Sequence, residues 1–233
     1  MNINFNVFEA RVKEVRSSIN GYCEEAGRQS ESVALLPVTK NHPVDAAEYA
    51  FKAGFGMVGE NRVQEAEGKK PFADPSLKWE LIGPLQSNKV KKAVQVFTRI
   101  QTVDRVKLAG ALQRHAEDSG IELAILLQVN AGRDPNKSGV SLEDASALME
   151  SAISLPNLRV EGLMTIAPLS DEEAVARRAF AALRECRDKL EIEFGVKLPE
   201  LSMGMSGDMR EAILEGSTMV RVGTALYGKR DYL

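Results

Sequence analysis

Strand-like and helix-like segments alternate along nearly all of this 233-residue chain, and that alternation narrows the possible folds more than any other feature. Short apolar or β-branched runs at 33–40, 56–59, 77–82, 97–103, 123–129, 158–166, 198–203 and 218–222 read as strands. The run at 123–129 is continuously apolar, as a parallel strand covered on both faces requires. Helical periodicity fills the gaps. Leu108, Leu112 and Ala116 share one face of a helix over 104–118. Val175, Ala179, Leu183, Cys186 and Leu190 form the stripe of a longer helix whose start is signalled by Ser170 and Glu173. Pro43 suits the first turn of a helix that carries Ala47, Ala50 and Phe51 on its inner face. Eight strands, each followed by a helix, fit an α/β fold of the (β/α)8 TIM barrel type. An open doubly wound sheet would alternate in the same way, but no G-x-G-x-x-G follows the first strand. An extra N-terminal helix precedes the barrel, because Phe8, Val12, Val15, Ile19 and Tyr22 recur on one face over 5–29. No low-complexity linker divides residues 1–233, so the chain reads as a single domain.

Composition removes several functions from consideration. Thirty Lys and Arg against 33 Asp and Glu leave a net charge of −3, so no bulk positive charge is present to hold nucleic acid, and no nucleic-acid partner is expected. The two cysteines, Cys23 and Cys186, have neither disulfide-framework nor metal-site spacing, which fits a reducing compartment. The opening MNINFNVFEARVKEV has no long apolar core, so neither a signal peptide nor a membrane span is expected. These features together predict a cytoplasmic protein with no membrane partner; a monomer is the expected form, though no sequence feature fixes the oligomeric state.

In a barrel of this type the working residues come from the C-terminal ends of the strands. The stretch 201–228 places two small-residue turns, Gly204-Met205-Ser206-Gly207-Asp208 and Gly223-Thr224, where a strand ends and a helix begins. Glycine lets the backbone approach a ligand closely, and the N–H groups of a helix start favour an anion. The loops after the last two strands are the usual phosphate site of such barrels, so Ser206, Gly207, Gly223 and Thr224 are expected to hold a phosphate-bearing ligand. Lys40 closes the first strand. In a partly dry, cation-rich pocket a lysine loses its proton readily and attacks an aldehyde to form a Schiff base; alternatively, it simply ends the strand and reaches water. Arg221 interrupts an otherwise apolar strand. A guanidinium keeps its proton and is rarely buried unpaired, so it needs a ligand acceptor or an internal carboxylate such as Glu60 or Asp208. Asn61 and Asn130 stand at strand ends, where capping is their bland role. Met203, Met205 and Met209 read as pocket wall or core, His42 and His115 as peripheral, and Lys137 as an exposed amine in a polar loop.

Motifs spread along the chain then carry a resemblance. They are Val38-Thr39-Lys40, Gly59-Glu60-Asn61 with Val63-Gln64-Glu65, Ile82-Gly83-Pro84-Leu85-Gln86-Ser87-Asn88-Lys89, Lys137-Ser138-Gly139, Gly162-Leu163-Met164, Ser202-Met203-Gly204-Met205-Ser206-Gly207-Asp208-Met209 and Gly216-Ser217-Thr218-Met219-Val220-Arg221-Val222-Gly223-Thr224. In this order, over about 35–232, they resemble the pyridoxal 5′-phosphate homeostasis protein family, itself similar to the barrel domain of alanine racemase without that enzyme's second, β-rich domain. The resemblance implies pyridoxal 5′-phosphate as the cofactor. Lys40 would carry it as an internal aldimine, Arg221 would face the pyridine nitrogen, Ser206, Gly223 and Thr224 would grip the phosphate, and Asn61 and Met203 would line the ring. Two positions depart from the pattern: Arg62 stands where an aromatic is expected, and Glu80 where a histidine is common.

A permanent cation beside the ring nitrogen leaves it unprotonated and weakens the cofactor as an electron sink. Racemisation also needs a second acid/base group on the face opposite the lysine. The resemblance therefore implies a carrier that binds, buffers and hands on the cofactor, with pyridoxal-phosphate-dependent apo-enzymes as recipients, and not a fast enzyme. Two alternatives stand beside it. One is an active pyridoxal-dependent amino-acid racemase. The other is a class I aldolase-type barrel whose lysine forms its imine with a phosphorylated substrate.

Overall fold

Eight short strands alternate with helices in a computed structural model that describes residues 4–228. The strands are β1 (Ala34–Pro37), β2 (Met57–Glu60), β3 (Lys78–Leu81), β4 (Arg99–Val103), β5 (Leu123–Gln128), β6 (Leu158–Met164), β7 (Glu200–Ser202) and β8 (Met219–Val222). The helices are α1 (Phe5–Glu25), α2 (Asp45–Lys52), α3 (Val63–Lys69), α4 (Val90–Val96), α5 (Val106–Asp118), α6 (Ala145–Ile153), α7 (Glu173–Phe194), α8 (Met209–Leu214) and α9 (Thr224–Tyr227). All strand pairs are parallel, in the order β1-β8-β7-β6-β5-β4-β3-β2. The two end strands meet through a bridge between Val38 and Gly59 and a hydrogen bond from the Thr39 N–H to the Gly59 carbonyl (3.0 Å). The sheet thus closes on itself as the (β/α)8 barrel that the alternation predicts, with α1 placed before it.

Alternation of side chains sorts each strand into two environments. Outward residues such as Trp79, Ile100, Ile125, Leu201 and Val220 join one large apolar core between sheet and helices. Inside the barrel the apolar content is small: Leu36, Val38, Ile82 and Met219 form a separate cluster. Buried Ala124, Leu126 and Met164 alternate with outward residues of β5 and β6 and also face in, and a polar network fills much of the remaining interior. Arg99 forks onto Glu80 through Nε (3.0 Å) and Nη2 (2.8 Å) and donates from Nη1 to Glu161 (2.9 Å), with Glu200 at 3.7 Å. Burial alone would pull the Arg99 guanidinium down, but Glu80, Glu200 and Glu161 more than offset it and hold the pKa above its ordinary value.

Helix α1 is capped by Asn4, whose Oδ1 accepts the Val7 N–H (3.1 Å). Its buried stripe is Phe8, Val12, Val15, Ile19 and Cys23; Tyr22 is only half-buried, and the helix ends at Glu25, short of the predicted 29. Phe8 stacks on Tyr227 with centroids 5.0 Å apart. Arg28 lashes the segment after α1 to the carbonyls of Ile213 (2.9 Å) and Ser217 (2.8 Å). Two details of the periodicity reading change. Phe51 lies at the surface of α2 (37% exposed), and Ala46 joins Ala47 and Ala50 on the buried face. On α7, Phe180 is buried while Val175 is half-buried, because the helix begins at Glu173 and Ser170 instead makes a local turn by accepting the Glu172 N–H (3.1 Å).

The seam between β1 and β2 is held by one buried carboxylate. Glu60 is fully buried and accepts from Lys69 Nζ (2.5 Å) and Thr39 Oγ1 (2.7 Å), while the same ammonium donates to the Thr39 carbonyl (2.9 Å). Lys69 also lies 3.8 Å from Glu65, whose Oε2 accepts the Asn41 N–H (2.9 Å). The backbone on both sides of Lys40 is therefore pinned, with Asn41 held in the left-handed region (φ 60°). Burial raises the Glu60 pKa, and Lys69 works against the rise.

Lys69→Met leaves Glu60 as a buried carboxylate without its counter-charge, and the Glu60 pKa climbs further. An acid whose folded pKa is raised favours the fold while protonated, and that contribution is lost as pH rises through the folded pKa. The variant is expected to lose about 3 kcal/mol or more above neutral pH, with the deficit shrinking as the solution is acidified. Urea unfolding at pH 8 and pH 5 checks this; an equal deficit at both would contradict it.

Candidate functional site

Parallel pairing sets the ends of β1, β8 and β7 side by side at one rim of the barrel. At that rim is a cavity of about 270 Å³. Lys40, Asn61, Ser206, Arg221, Gly223 and Thr224 all line it, so the structure brings together six residues predicted from widely separated parts of the sequence. Val38, Ile82, Ile166 and Met205 supply its apolar walls. Strand β1 stops at Pro37, so half-buried Lys40 sits in the turn beyond the Val38 bridge instead of closing the strand itself. Asn61 follows β2 directly. A Cβ at Gly83 would lie 2.2 Å from the Asn61 carbonyl oxygen, so only glycine lets the loop after β3 pass so close to it.

The turn after β7 is built around Gly204 and Asp208. Gly204 adopts φ 94°, and a Cβ there would meet the Ala212 Cβ at 2.5 Å. Asp208 Oδ1 accepts the Met205 N–H (2.6 Å), which closes the turn and presents Ser206 and Gly207 to the cavity. Burial pushes the Asp208 carboxyl up; the Met205 N–H and then Arg221 oppose that rise. The second turn, Gly223-Thr224, comes directly off β8. Two sets of backbone and hydroxyl donors from successive strands thus face one space, the composition a phosphate monoester needs.

Arg221 is 4% exposed and reaches the cavity from the inner face of β8. Its Nη1 donates to Ser202 Oγ (2.7 Å) and its Nη2 to the Thr165 carbonyl (2.8 Å). Among the described residues it makes no contact ion pair: Glu60 is engaged by Lys69, and Asp208 acts on it only from beyond ion-pair distance. Burial pulls the guanidinium pKa down to about 10, with Asp208 opposing, which leaves it cationic at neutral pH. A cation held by neutral acceptors favours a ligand that brings an acceptor, and a neutral pyridine nitrogen is one.

Met203 does not join this group. Ser202 points into the barrel, so alternation turns Met203 outward into the core between sheet and helices, where it is fully buried, and Met205 takes its place on the cavity wall. Asn130 ties down its own loop, accepting the Asp134 N–H (3.1 Å) and donating to the Asp134 carbonyl (2.9 Å). Lys137 is half-buried, not a freely exposed amine; it lines an adjoining cleft of about 250 Å³ that shares Asn61, Ile82 and Ile166 with the main cavity. His115 lies on α5 beside Asp118 (3.6 Å), and His42 packs its ring near Tyr227 (5.1 Å). Sequence reasoning missed the anchors of Arg221. Ser202 carried a signal, as a polar residue at an inward position of an apolar strand. Thr165 carried none, because it acts through its carbonyl.

Among the described residues no group of His, Cys, Asp and Glu side chains is placed to hold a metal ion, and no helix is long and apolar enough to cross a membrane. Cys23 and Cys186 are both buried and unbridged.

The family described as alanine racemase, N-terminal domain, matches residues 20–231. Proteins named pyridoxal phosphate homeostasis protein from Aquifex aeolicus and Pseudomonas aeruginosa are 41% and 43% identical to the chain, over 95% of it in each case and over 98% and 95% of their own lengths. The structure of PipY from Synechococcus elongatus PCC7942 with PLP bound has a TM-score of 0.85 at 38% identity, covering 95% of this chain and 100% of that one. An alanine racemase from Clostridium difficile has a TM-score of 0.76 at 16% identity, over 93% of this chain and 57% of the racemase, a likeness of fold alone. This chain belongs to the alanine racemase N-terminal domain family and, within it, to the pyridoxal phosphate homeostasis proteins.

Proposed function

We propose that this protein, acting as a single barrel domain, binds pyridoxal 5′-phosphate reversibly at the barrel mouth and serves in its intracellular homeostasis. The observation that carries this reading is the convergence on one cavity of a lysine amine, two donor-rich turns and a buried guanidinium with no contact counter-ion among the described residues. When bound, pyridoxal phosphate supplies an electrophilic aldehyde conjugated to an electron-withdrawing ring. Lys40 Nζ is the amine that attaches to the aldehyde carbon. Arg221 faces the ring nitrogen and donates to it without being able to transfer a proton. Ser206, Gly223 and Thr224, with Gly207, hold the phosphate. Asn61 and Met205 flank the ring, Met205 in the role first expected of Met203.

The reading favours a carrier over an enzyme. Relatives at 41% and 43% identity are named for homeostasis and not for a reaction. Lys40 is the one amine among the described residues lining the main cavity. Pyridoxal-phosphate-dependent apo-enzymes are the proposed recipients, and a cytoplasmic monomer is the proposed working form. One observation favours the second reading, an amino-acid racemase: Lys137, a second amine, lines the adjoining cleft that shares Asn61, Ile82 and Ile166 with the main cavity. Incubation with L-alanine separates the two, since steady production of D-alanine at enzyme-like rates contradicts the carrier role.

Lys40→Ala is expected to abolish the visible band formed on adding pyridoxal phosphate and the mass increase fixed by borohydride reduction. A variant that keeps both would remove Lys40 from the site. Ser206→Ala and Thr224→Val each remove a hydroxyl facing the phosphate. Each is expected to weaken binding roughly tenfold, the worth of one hydrogen bond to a charged group, with little effect on thermal stability. Fluorescence titration measures the affinities, and unchanged values in both variants would move the phosphate elsewhere.

A further inference from the structure

A line of polar side chains crosses the inside of the barrel behind Arg221. Arg221 Nη1 donates to Ser202 Oγ (2.7 Å), Ser202 Oγ donates to Gln101 Oε1 (2.6 Å), and Gln101 Nε2 donates to Glu80 Oε2 (2.6 Å). All four residues are buried, and of them only Arg221 lines the cavity. Every donation runs in one sense, from the guanidinium at the mouth to a carboxylate deeper in the barrel.

Chemistry dictates that sense. A glutamine amide can be turned over, exchanging its oxygen and nitrogen, and the surrounding hydrogen bonds decide which way it sits. Turned over, Gln101 would set its oxygen against the Glu80 carboxylate and its amino group against Ser202. Ser202 would then accept from both sides, and its own proton would be left without a partner in a buried place, at a penalty of about 1–3 kcal/mol. Glu80 cannot swing away to relieve this, because Arg99 holds both of its oxygens. The carboxylate therefore orients the amide, the amide orients the hydroxyl, and the hydroxyl presents a lone pair to the guanidinium. The other charged groups nearby are Glu161 and Glu200 around Arg99, and Lys40 and Asp208 at the mouth.

We infer that Gln101 and Glu80 are positioning residues for Arg221, setting the guanidinium plane that meets the ligand although neither touches the cavity. The ligand's identity rests on the reading above; the orientation of Arg221 does not. Binding strength at the mouth is thereby coupled to the interior of the barrel, through residues that a survey of the cavity wall would pass over.

Two readouts test this in the full chain. One is the side-chain Nε–H resonance of Arg221 in the protein without ligand, assigned by its disappearance in Arg221→Lys. The other is the wavelength of the visible band and the dissociation constant with pyridoxal phosphate. Gln101→Leu is expected to shift and broaden the Arg221 resonance, move the band and raise the dissociation constant about tenfold. Glu80→Leu, which removes the acceptor for the Gln101 amide, is expected to move the same two signals in the same direction. A folded Gln101→Leu protein with an unmoved Arg221 resonance overturns the proposal, and so does a folded Glu80→Leu protein with an unmoved resonance. If Gln101→Leu does not fold, Ser202→Ala breaks the same line one link nearer the cavity and reports on the same two signals. A wild-type protein that shows no visible band refutes the pyridoxal phosphate reading, while the resonance comparison still decides the role of Gln101 and Glu80.

Discussion

The burial of Arg221 with no contact carboxylate among the described residues is the constraint on which the rest of the site depends. Removing a guanidinium from water is unfavourable unless its N–H groups find acceptors. The barrel meets that need with a serine hydroxyl and a main-chain carbonyl, both neutral. The positive charge is satisfied as a donor but not cancelled, and it faces a cavity. An ion pair in the same place would have made Arg221 a structural strut. Two neutral acceptors leave its charge available to the cavity.

Strand order then determines what that charge can do. Because β8 pairs with β1 on one side and β7 on the other, Arg221 lies between the turn carrying Lys40 and the turn carrying Ser206 and Gly207. Register tightens the relation, since Leu36 on β1 stands opposite Arg221 on β8. The amine is placed with equal care from the other side: Glu60, Lys69 and Glu65 hold the main chain at Thr39 and Asn41, the immediate neighbours of Lys40. A lysine on a four-carbon stem has many rotamers, so a rigid base for that stem limits where its nitrogen can go.

The barrel interior divides into two regions of different character. Around Arg99, three carboxylates and a forked guanidinium form a dense charged cluster that keeps its counter-charges in contact. At the mouth, charge is left open. The line from Glu80 through Gln101 and Ser202 joins the two. The first region is internally compensated, the second faces the cavity, and the polar line connects them.

Hydrophobic periodicity established the eightfold alternation and the helix before it, because short-range patterns of two and 3.6 residues report directly on which faces are covered; the choice of a barrel over an open sheet also used the lack of a dinucleotide loop after the first strand. The turn chemistry of 204–208 and 223–224, with an arginine inside an apolar strand, was likewise legible, since those residue types are rare where they serve no purpose. Other features became visible only in three dimensions. Position alone leaves Met203 as pocket wall or core and the resemblance places it at the ring, yet one step of the pleat past Ser202 turns it into the core and leaves the wall to Met205. Phe51 fits a helical face by spacing, yet the surface of α2 is where it lies. Glu80, Gln101 and Ser202 are 21 and 101 residues apart along the chain at successive links, and no local pattern connects them. Closure of the sheet brings their inward faces together, so the hydrogen-bond partners of Arg221 are a property of the barrel and not of any single segment.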